Sequence, residues 1–246
     1  MDGIILLDKP AGITSAKAVS IIKKKYNFKK VGHAGTLDPM ATGLLIILCG
    51  KATKLQSVFF NYKKNYQGVI RLGISTDTDD VSGTVVEEDN LKTYLQNNLA
   101  LLEQKIVEEF TGRQQQIPPA YSAVKINGVR SYKLARKGKQ VELKEKEIVI
   151  EKLAIKFISQ IQLSYDVICS KGTYVRSLAR DIGNCLGTKG CLETIRRLSC
   201  GPFNVTAAVS LSELELNAQV GNYFIPVDTV NNSLAIEPNT NGVHGA

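Results

Sequence analysis

Histidine is scarce in this chain of 246 residues. His33 and His244 are the only two, and the second sits in a Gly/Asn-rich terminal stretch, so an imidazole-built zinc or iron centre has almost no ligands to draw on. No metal is therefore expected. The five cysteines (Cys49, Cys169, Cys185, Cys191, Cys200) are odd in number and form no C-x-x-C pair, which excludes a disulfide scaffold and suits buried thiols in a reducing compartment. No apolar run approaches the roughly 18 to 20 residues of a membrane span, and the opening Met-Asp-Gly-Ile-Ile-Leu-Leu-Asp-Lys is acidic where a signal peptide is basic. A cytoplasmic protein without membrane association is the expectation. No repeat of fixed period is present.

What is there is ordinary globular material. At 43% hydrophobic and 22% charged residues, the chain can bury a real core and is too apolar to be disordered. The formal charge is +8, and its location is more informative than its size, because nucleic-acid binding needs Lys and Arg gathered on a surface. Residues 1–64, 120–146 and 171–200 are net basic by 8, 6 and 4 charges. Acids concentrate in residues 77–109, while residues 201–246 contain no Lys or Arg at all. Charge alone leaves open a solvated basic face with no partner.

The run Gly3–Leu7 reads as a strand, and Thr14 or Ser15 can cap a helix through about Tyr26 with Ala18, Val19, Ile21 and Ile22 inward and Lys23, Lys24 and Lys25 outward. Residues 31–43 read as a loop with three glycines and a proline, followed by the strand Leu44–Leu48. Tyr66–Leu72 alternates as a strand, and Leu91–Phe110 reads as a peripheral helix. Tyr121–Ile126 is extended and closed by the Asn127-Gly128 turn signal, and Tyr132–Lys137 is a short basic helical turn. Two strands, Ile148–Ile158 and Gln162–Cys169, precede a helix over Thr173–Leu186 ending at Gly187, and Ile195–Leu198 begins another extended segment. Helices and strands mix without βαβ alternation, which predicts an α+β fold on a mixed or antiparallel sheet.

Two motifs fail on inspection. Gly43 and Gly50-Lys51 are too far apart for a phosphate-binding P-loop, and Ala52 stands where Ser or Thr is needed. Asp77-Thr78-Asp79-Asp80-Val81-Ser82-Gly83 has Val81 at a calcium-ligand position, so we read it as a solvated acidic turn. The segment Gly32-His33-Ala34-Gly35-Thr36-Leu37-Asp38-Pro39-Met40-Ala41-Thr42-Gly43 is different. It sets one carboxylate in a glycine-dense loop beside an imidazole and before an apolar strand, where glycines let backbone approach a ligand and Pro39 stiffens the position after the acid. Such an Asp-Pro pair is either a structural turn or a lone carboxylate acting as nucleophile or base.

This segment closely resembles the catalytic signature of the bacterial tRNA pseudouridine synthase B family. The resemblance extends to Gly3–Ser15, Lys64-Asn65-Tyr66, Thr76-Asp77-Thr78-Asp79, Gln116–Lys125, Tyr132–Gly138, Cys169–Asp181 and Arg196-Arg197-Leu198, in order over residues 3–228. It implies the pseudouridine synthase fold around an RNA-binding cleft, tRNA as partner through its T-arm, and isomerisation of uridine 55. That reaction breaks N1–C1′ and rejoins the base through C5, so no redox step and no cofactor are implied, and no obligate protein partner.

By resemblance Asp38 is the catalytic carboxylate, as nucleophile or base, and Arg176 orients it through two-pronged guanidinium geometry. Tyr66 is implied to stack on the target uracil, Tyr174 and Leu198 to line the uridine pocket, and His33 to occupy space vacated by flipped nucleotides. The family match makes the basic block around Lys125, Arg130, Lys133, Arg136 and Lys137 an RNA-clamping loop on the phosphate backbone. Base extrusion is required because a stacked base is out of reach. The expected organisation is a catalytic domain over residues 1–229 and a tail over 230–246. Many relatives carry a further RNA-binding (PUA) domain not expected here, so a raised KM for full tRNA is the corollary. Competing readings are a non-catalytic RNA binder, a synthase for another RNA site, and a uridine-releasing glycosylase.

Overall fold

The computed structural model describes residues 1–89, 98–122, 124–126, 128–135 and 143–230. The chain forms two compact units, one of residues Met1–Tyr62 with Leu198–Ala246 and one of Lys63–Arg197.

The first unit opens with β1 (Gly3–Lys9), α1 (Ser15–Lys25), β2 (Val31–Ala34), β3 (Thr42–Cys49) and α2 (Gln56–Asn61). Strands β1 and β3 pair antiparallel from Gly3↔Cys49 to Lys9↔Gly43. Their apolar runs are continuous rather than alternating because Ile4, Ile5, Leu7 and Leu44–Ile47 are all 0% exposed, as in strands covered on both faces. Helix α1 starts where the Thr14 hydroxyl accepts the Lys17 N–H at 3.0 Å. It carries Lys23–Lys25 in its last turn, where cations complement the helix dipole, and Tyr26 is its C-cap. Part of the expected loop over residues 31–43 is instead a strand: β2 pairs with β3 from Val31↔Cys49 to Ala34↔Ile46. The four residues carry no periodicity of their own and become extended by pairing with β3.

The second unit contains β4 (Lys64–Leu72), β5 (Ile74–Thr76), β6 (Val85–Glu88), α3 (Leu99–Phe110), β7 (Gly112–Gln116), the short strands β8 (Lys125–Ile126) and β9 (Val129–Arg130), α4 (Ser131–Ala135), β10 (Lys146–Ser159), β11 (Gln162–Cys169) and α5 (Val175–Cys185). Its sheet runs in the order β4-β11-β10-β7, all antiparallel. Burial alternates residue by residue along β11, so one face meets a core of Ile70, Ile148, Ile150, Leu163, Val167, Leu178 and Ile182. Part of the expected helix over Leu91–Phe110 falls on residues 91–97, outside the described residues.

Strand β12 (Gly190–Cys200) is followed in the first unit by β13 (Phe203–Asn204), β14 (Val209–Ser210), α6 (Leu211–Leu216) and β15 (Phe224–Pro226). Strand β14 pairs parallel with β1 and β15 antiparallel with β1, so the sheet is mixed and the class α+β. Residues 231–246, the expected tail, lie outside the described residues. Among those described, no helix is long and apolar enough to cross a membrane.

Candidate active site

Asp38 lies in the turn between β2 and β3, and the turn is held by main-chain atoms on both sides of it. The Ser15 hydroxyl, buried at the start of α1, donates to the Leu37 carbonyl at 3.0 Å and accepts the Leu37 N–H at 2.9 Å. The Pro39 carbonyl accepts the Gly12 N–H at 2.8 Å and lies 3.4 Å from the Lys9 ammonium. The Ala41 N–H closes the turn on the Asp38 carbonyl at 3.1 Å. Lys9 is 0% exposed, and its other donors reach the Pro10 and Ile13 carbonyls at 2.7 and 2.8 Å, matching three N–H groups with three acceptors. Gly35 (φ 88°) and Gly43 (φ 97°) bracket the turn in a conformation that Cβ-bearing residues avoid. The Lys9–Ser15 segment therefore serves as a cradle for the Asp38 turn.

Arg176 is the second residue of α5 and 6% exposed. A cation there opposes the helix dipole, and two carbonyls and a carboxylate offset that cost. Its Nη1 donates to the Thr78 carbonyl at 2.9 Å and its Nη2 to the Tyr121 carbonyl at 3.0 Å, while Nε lies 3.8 Å from Asp80 Oδ2. Asp80 in turn accepts from the Ser82 N–H at 2.9 Å, the Thr78 hydroxyl at 3.0 Å and the Ser82 hydroxyl. One turn along α5, Arg180 pairs with Asp79 at 2.9 Å and Asp181 at 3.0 Å and donates to the Ile117 carbonyl at 3.0 Å. Burial pushes the Asp79 and Asp181 carboxyls above the usual carboxylate range, against the pull of Arg180.

The expected solvated acidic turn is thus wrong. Asp80 is 4% exposed, and Asp79 adopts φ 60° to reach Arg180. The signal that could have found this was the i, i+4 spacing of Arg176 and Arg180, which places two guanidinium groups on one helix face.

In the first unit, His33 sits half-buried on β2 opposite Ile47, with its carbonyl accepting from Gln56 Nε2 at 3.0 Å. Leu198 is half-buried near the end of β12. In the second unit, Tyr66 is half-buried on β4 opposite Val167. Tyr174 caps α5 and is clamped by Gln116, whose Oε1 accepts the Tyr174 N–H at 2.8 Å and whose Nε2 donates to its carbonyl at 3.1 Å. With the Ser177 hydroxyl on the Ile117 carbonyl at 2.8 Å, the whole Gln116–Tyr121 segment is laced to the start of α5. Lys125 and Arg130 are paired in register between β8 and β9, and Lys133 lies in α4. Arg136 and Lys137 lie outside the described residues.

Residues 23–175 match the model of the TruB family pseudouridylate synthase N-terminal domain, and residues 176–228 that of the tRNA pseudouridylate synthase B C-terminal domain. The chain belongs to the TruB family. It is by that membership a pseudouridylate synthase, an isomerase. The chain is 41% identical over 233 residues to the tRNA pseudouridine synthase B of Nitrosococcus oceani, covering 93% of this chain and 74% of the relative. Those of Psychrobacter cryohalolentis and Aquifex aeolicus are each 43% identical, over 93% and 94% of this chain and 64% and 79% of theirs. TruB-family membership is matched by fold. A crystal structure of a Cbf5-Nop10-Gar1 complex gives a TM-score of 0.65 at 27% identity, covering 92% of this chain and 60% of that one. The archaeal box H/ACA sRNP Nop10-Cbf5 complex gives 0.66 at 22% over the same shares.

Within this TruB-family chain, four supporting residues had no role assigned from sequence: Lys9, Ser15, Asp80 and Arg180. Lys9 and Ser15 stood inside the opening block, but only the fold brings residues 22 and 30 positions apart together.

Proposed function

We propose that the chain converts uridine 55 in the T-arm of tRNA to pseudouridine, with the base flipped out of its stack and Asp38 acting on the sugar. The observation that carries this reading is the cradle around Asp38. Four contacts from Lys9, Gly12 and Ser15 fix the main chain at Leu37 and Pro39, so the backbone that carries residue 38 is held before substrate arrives, which supports positioned catalysis.

In this reading Asp38 attacks C1′ or takes a proton from C2′, and N1–C1′ breaks as the pair of electrons passes to the base. The base turns and C5–C1′ forms as the Asp38–C1′ bond breaks or as C2′ recovers its proton; the C5 hydrogen then leaves as a proton and N1 takes one up, so atoms balance without a redox partner. Arg176 is the guanidinium partner of the carboxylate. The Thr78 and Tyr121 carbonyls and Asp80 fix that guanidinium from the side of its own unit. Tyr66 stacks on the uracil, Tyr174 and Leu198 line its pocket, and His33 fills space left by flipped nucleotides. Lys125, Arg130, Lys133, Arg136 and Lys137 clamp the phosphate backbone. Unstacking costs a few kcal/mol, offset by these contacts.

The test is tritium release from tRNA transcript labelled at uracil C5, with the purified chain alone in EDTA. One equivalent per tRNA is expected, none when uridine 55 is replaced, and none from Asp38→Asn, whose tRNA affinity stays within a few fold. Turnover by Asp38→Asn overturns the assignment of the carboxylate. Release from the substituted transcript overturns the site, and free uracil in the product replaces isomerisation with glycosidic cleavage.

A further inference from the structure

Beyond the far end of β3 from Asp38 lies an open cleft of about 510 Å³ lined by Tyr26, Phe28, Lys29, Lys30, Lys51 and Lys54. The β2–β3 ladder builds it. Val31 pairs with Cys49, and the Gly50 N–H donates to the Lys30 carbonyl at 2.9 Å, so the lysines that precede β2 stand beside those that follow β3. All four are exposed.

The floor of the cleft is rigid. The Tyr26 hydroxyl donates to the Leu214 carbonyl at 2.8 Å, and Phe28, 8% exposed, stacks on Phe224 with centroids 6.2 Å apart and planes at 19°. One carboxylate shares the cleft, Asp2; its Oδ1 accepts the Lys51 N–H at 2.7 Å and its Oδ2 lies 3.9 Å from the Lys51 ammonium. Beside that ion pair, Lys29, Lys30 and Lys54 share a lining with no further carboxylate, and like charges so gathered repel each other, an arrangement that a merely soluble face avoids by interleaving signs. The cleft does not belong to the Asp38 turn, because strand β3 between them spans roughly 23 Å at about 3.3 Å per residue.

We infer that this cleft binds the sugar-phosphate backbone of a tRNA stem outside the T-arm, on the reading that tRNA is the substrate. The chemistry that fits is a tracked row of phosphates: the lysines are spread over two segments around a concave floor, and ammonium groups on flexible stems meet phosphate as point charges. Its contribution is an affinity that falls steeply with salt as counterions are released.

The experiment measures Kd between about 50 and 200 mM salt for full tRNA transcript and for an isolated T-arm hairpin. It compares the unaltered chain with Lys29→Gln/Lys30→Gln/Lys51→Gln/Lys54→Gln. The expected result is a slope of log affinity against log salt reduced by roughly 2 to 4 for full tRNA, at about 0.9 or less per phosphate, with the hairpin slope changed by less than one. Lys152→Gln/Lys156→Gln, which neutralises two exposed lysines on β10, leaves both slopes unchanged. An unaltered tRNA slope in the quadruple variant, an equal loss on the hairpin, or an equal loss per lysine in the β10 variant overturns the inference. Because binding is read without turnover, failure of the isomerase reading shows separately, as no tritium release by the unaltered chain.

Discussion

The turn that carries Asp38 and the turn over residues 76–83 are both short, polar and tied to a distant segment, and they are held by different chemistry. The first is fixed through carbonyls and N–H groups of Leu37, Asp38 and Pro39. The second is fixed through side chains, with Asp79 and Asp80 buried against Arg180 and Arg176. The main-chain bonds of the first turn hold Leu37 and Pro39 whichever side chain stands between them. A side-chain clamp spends its acids on structure, and the group that it presents is the arginine.

The sharpest way to break this contrast is to remove each acid in turn. Asp80→Ala leaves a buried guanidinium short of its carboxylate and three donors without their acceptor, and a loss of about 3 to 5 kcal/mol in unfolding free energy is expected. Asp38→Ala should stay within about 1 kcal/mol of the original protein. Urea unfolding of both variants checks this, and comparable losses would erase the distinction.

A smaller effect tests the main-chain clamp itself. Ser15→Ala removes both bonds to Leu37 at a buried position, for an expected loss of about 1 to 3 kcal/mol. If the clamp aims Asp38, kcat falls at temperatures where the variant is fully folded while KM for tRNA barely moves. Folded Ser15→Ala with normal kcat would make the clamp purely structural.

The smallest effect compares the two units through their thiols. Burial pushes Cys49 in the first unit up to about 12 and Cys169 and Cys191 in the second from 9.0 to about 11. The unfolded chain releases these protons near 9.0 while the folded chain keeps them, so stability is full below that pH and declines as pH rises through 9 toward 11. Between pH 9 and 10 the decline is on the order of 1 kcal/mol per thiol, read as a falling urea midpoint. Cys169→Ala should flatten it by about one thiol's share.

How much was legible follows from where the information sits. Strand β11 was readable to its ends because alternation over Gln162–Cys169 is a local pattern with one buried face. The apolar runs of β1 and β3 were readable from a different local pattern, continuous apolar residues buried on both faces. Helix α5 was expected over Thr173–Leu186 and runs Val175–Cys185, its start moving because the Gln116 amide claims the Tyr174 main chain. Strand β2 was not readable, since Val31–Ala34 owes its extension to a partner strand. Nor was the burial of Asp79 and Asp80, whose arginines lie about a hundred residues further along the chain.

The sequence by itself determined the family and the α+β class, because motifs and periodicity are written in neighbouring residues. Tertiary structure alone decided that Lys9 and Ser15 cradle the Asp38 turn, that an acidic turn holds Arg176, and that lysines from two segments share one cleft. Each of these depends on contacts between residues far apart in the chain, and burial, which gives a buried hydrogen bond or ion pair its weight, exists only once the chain has closed on itself.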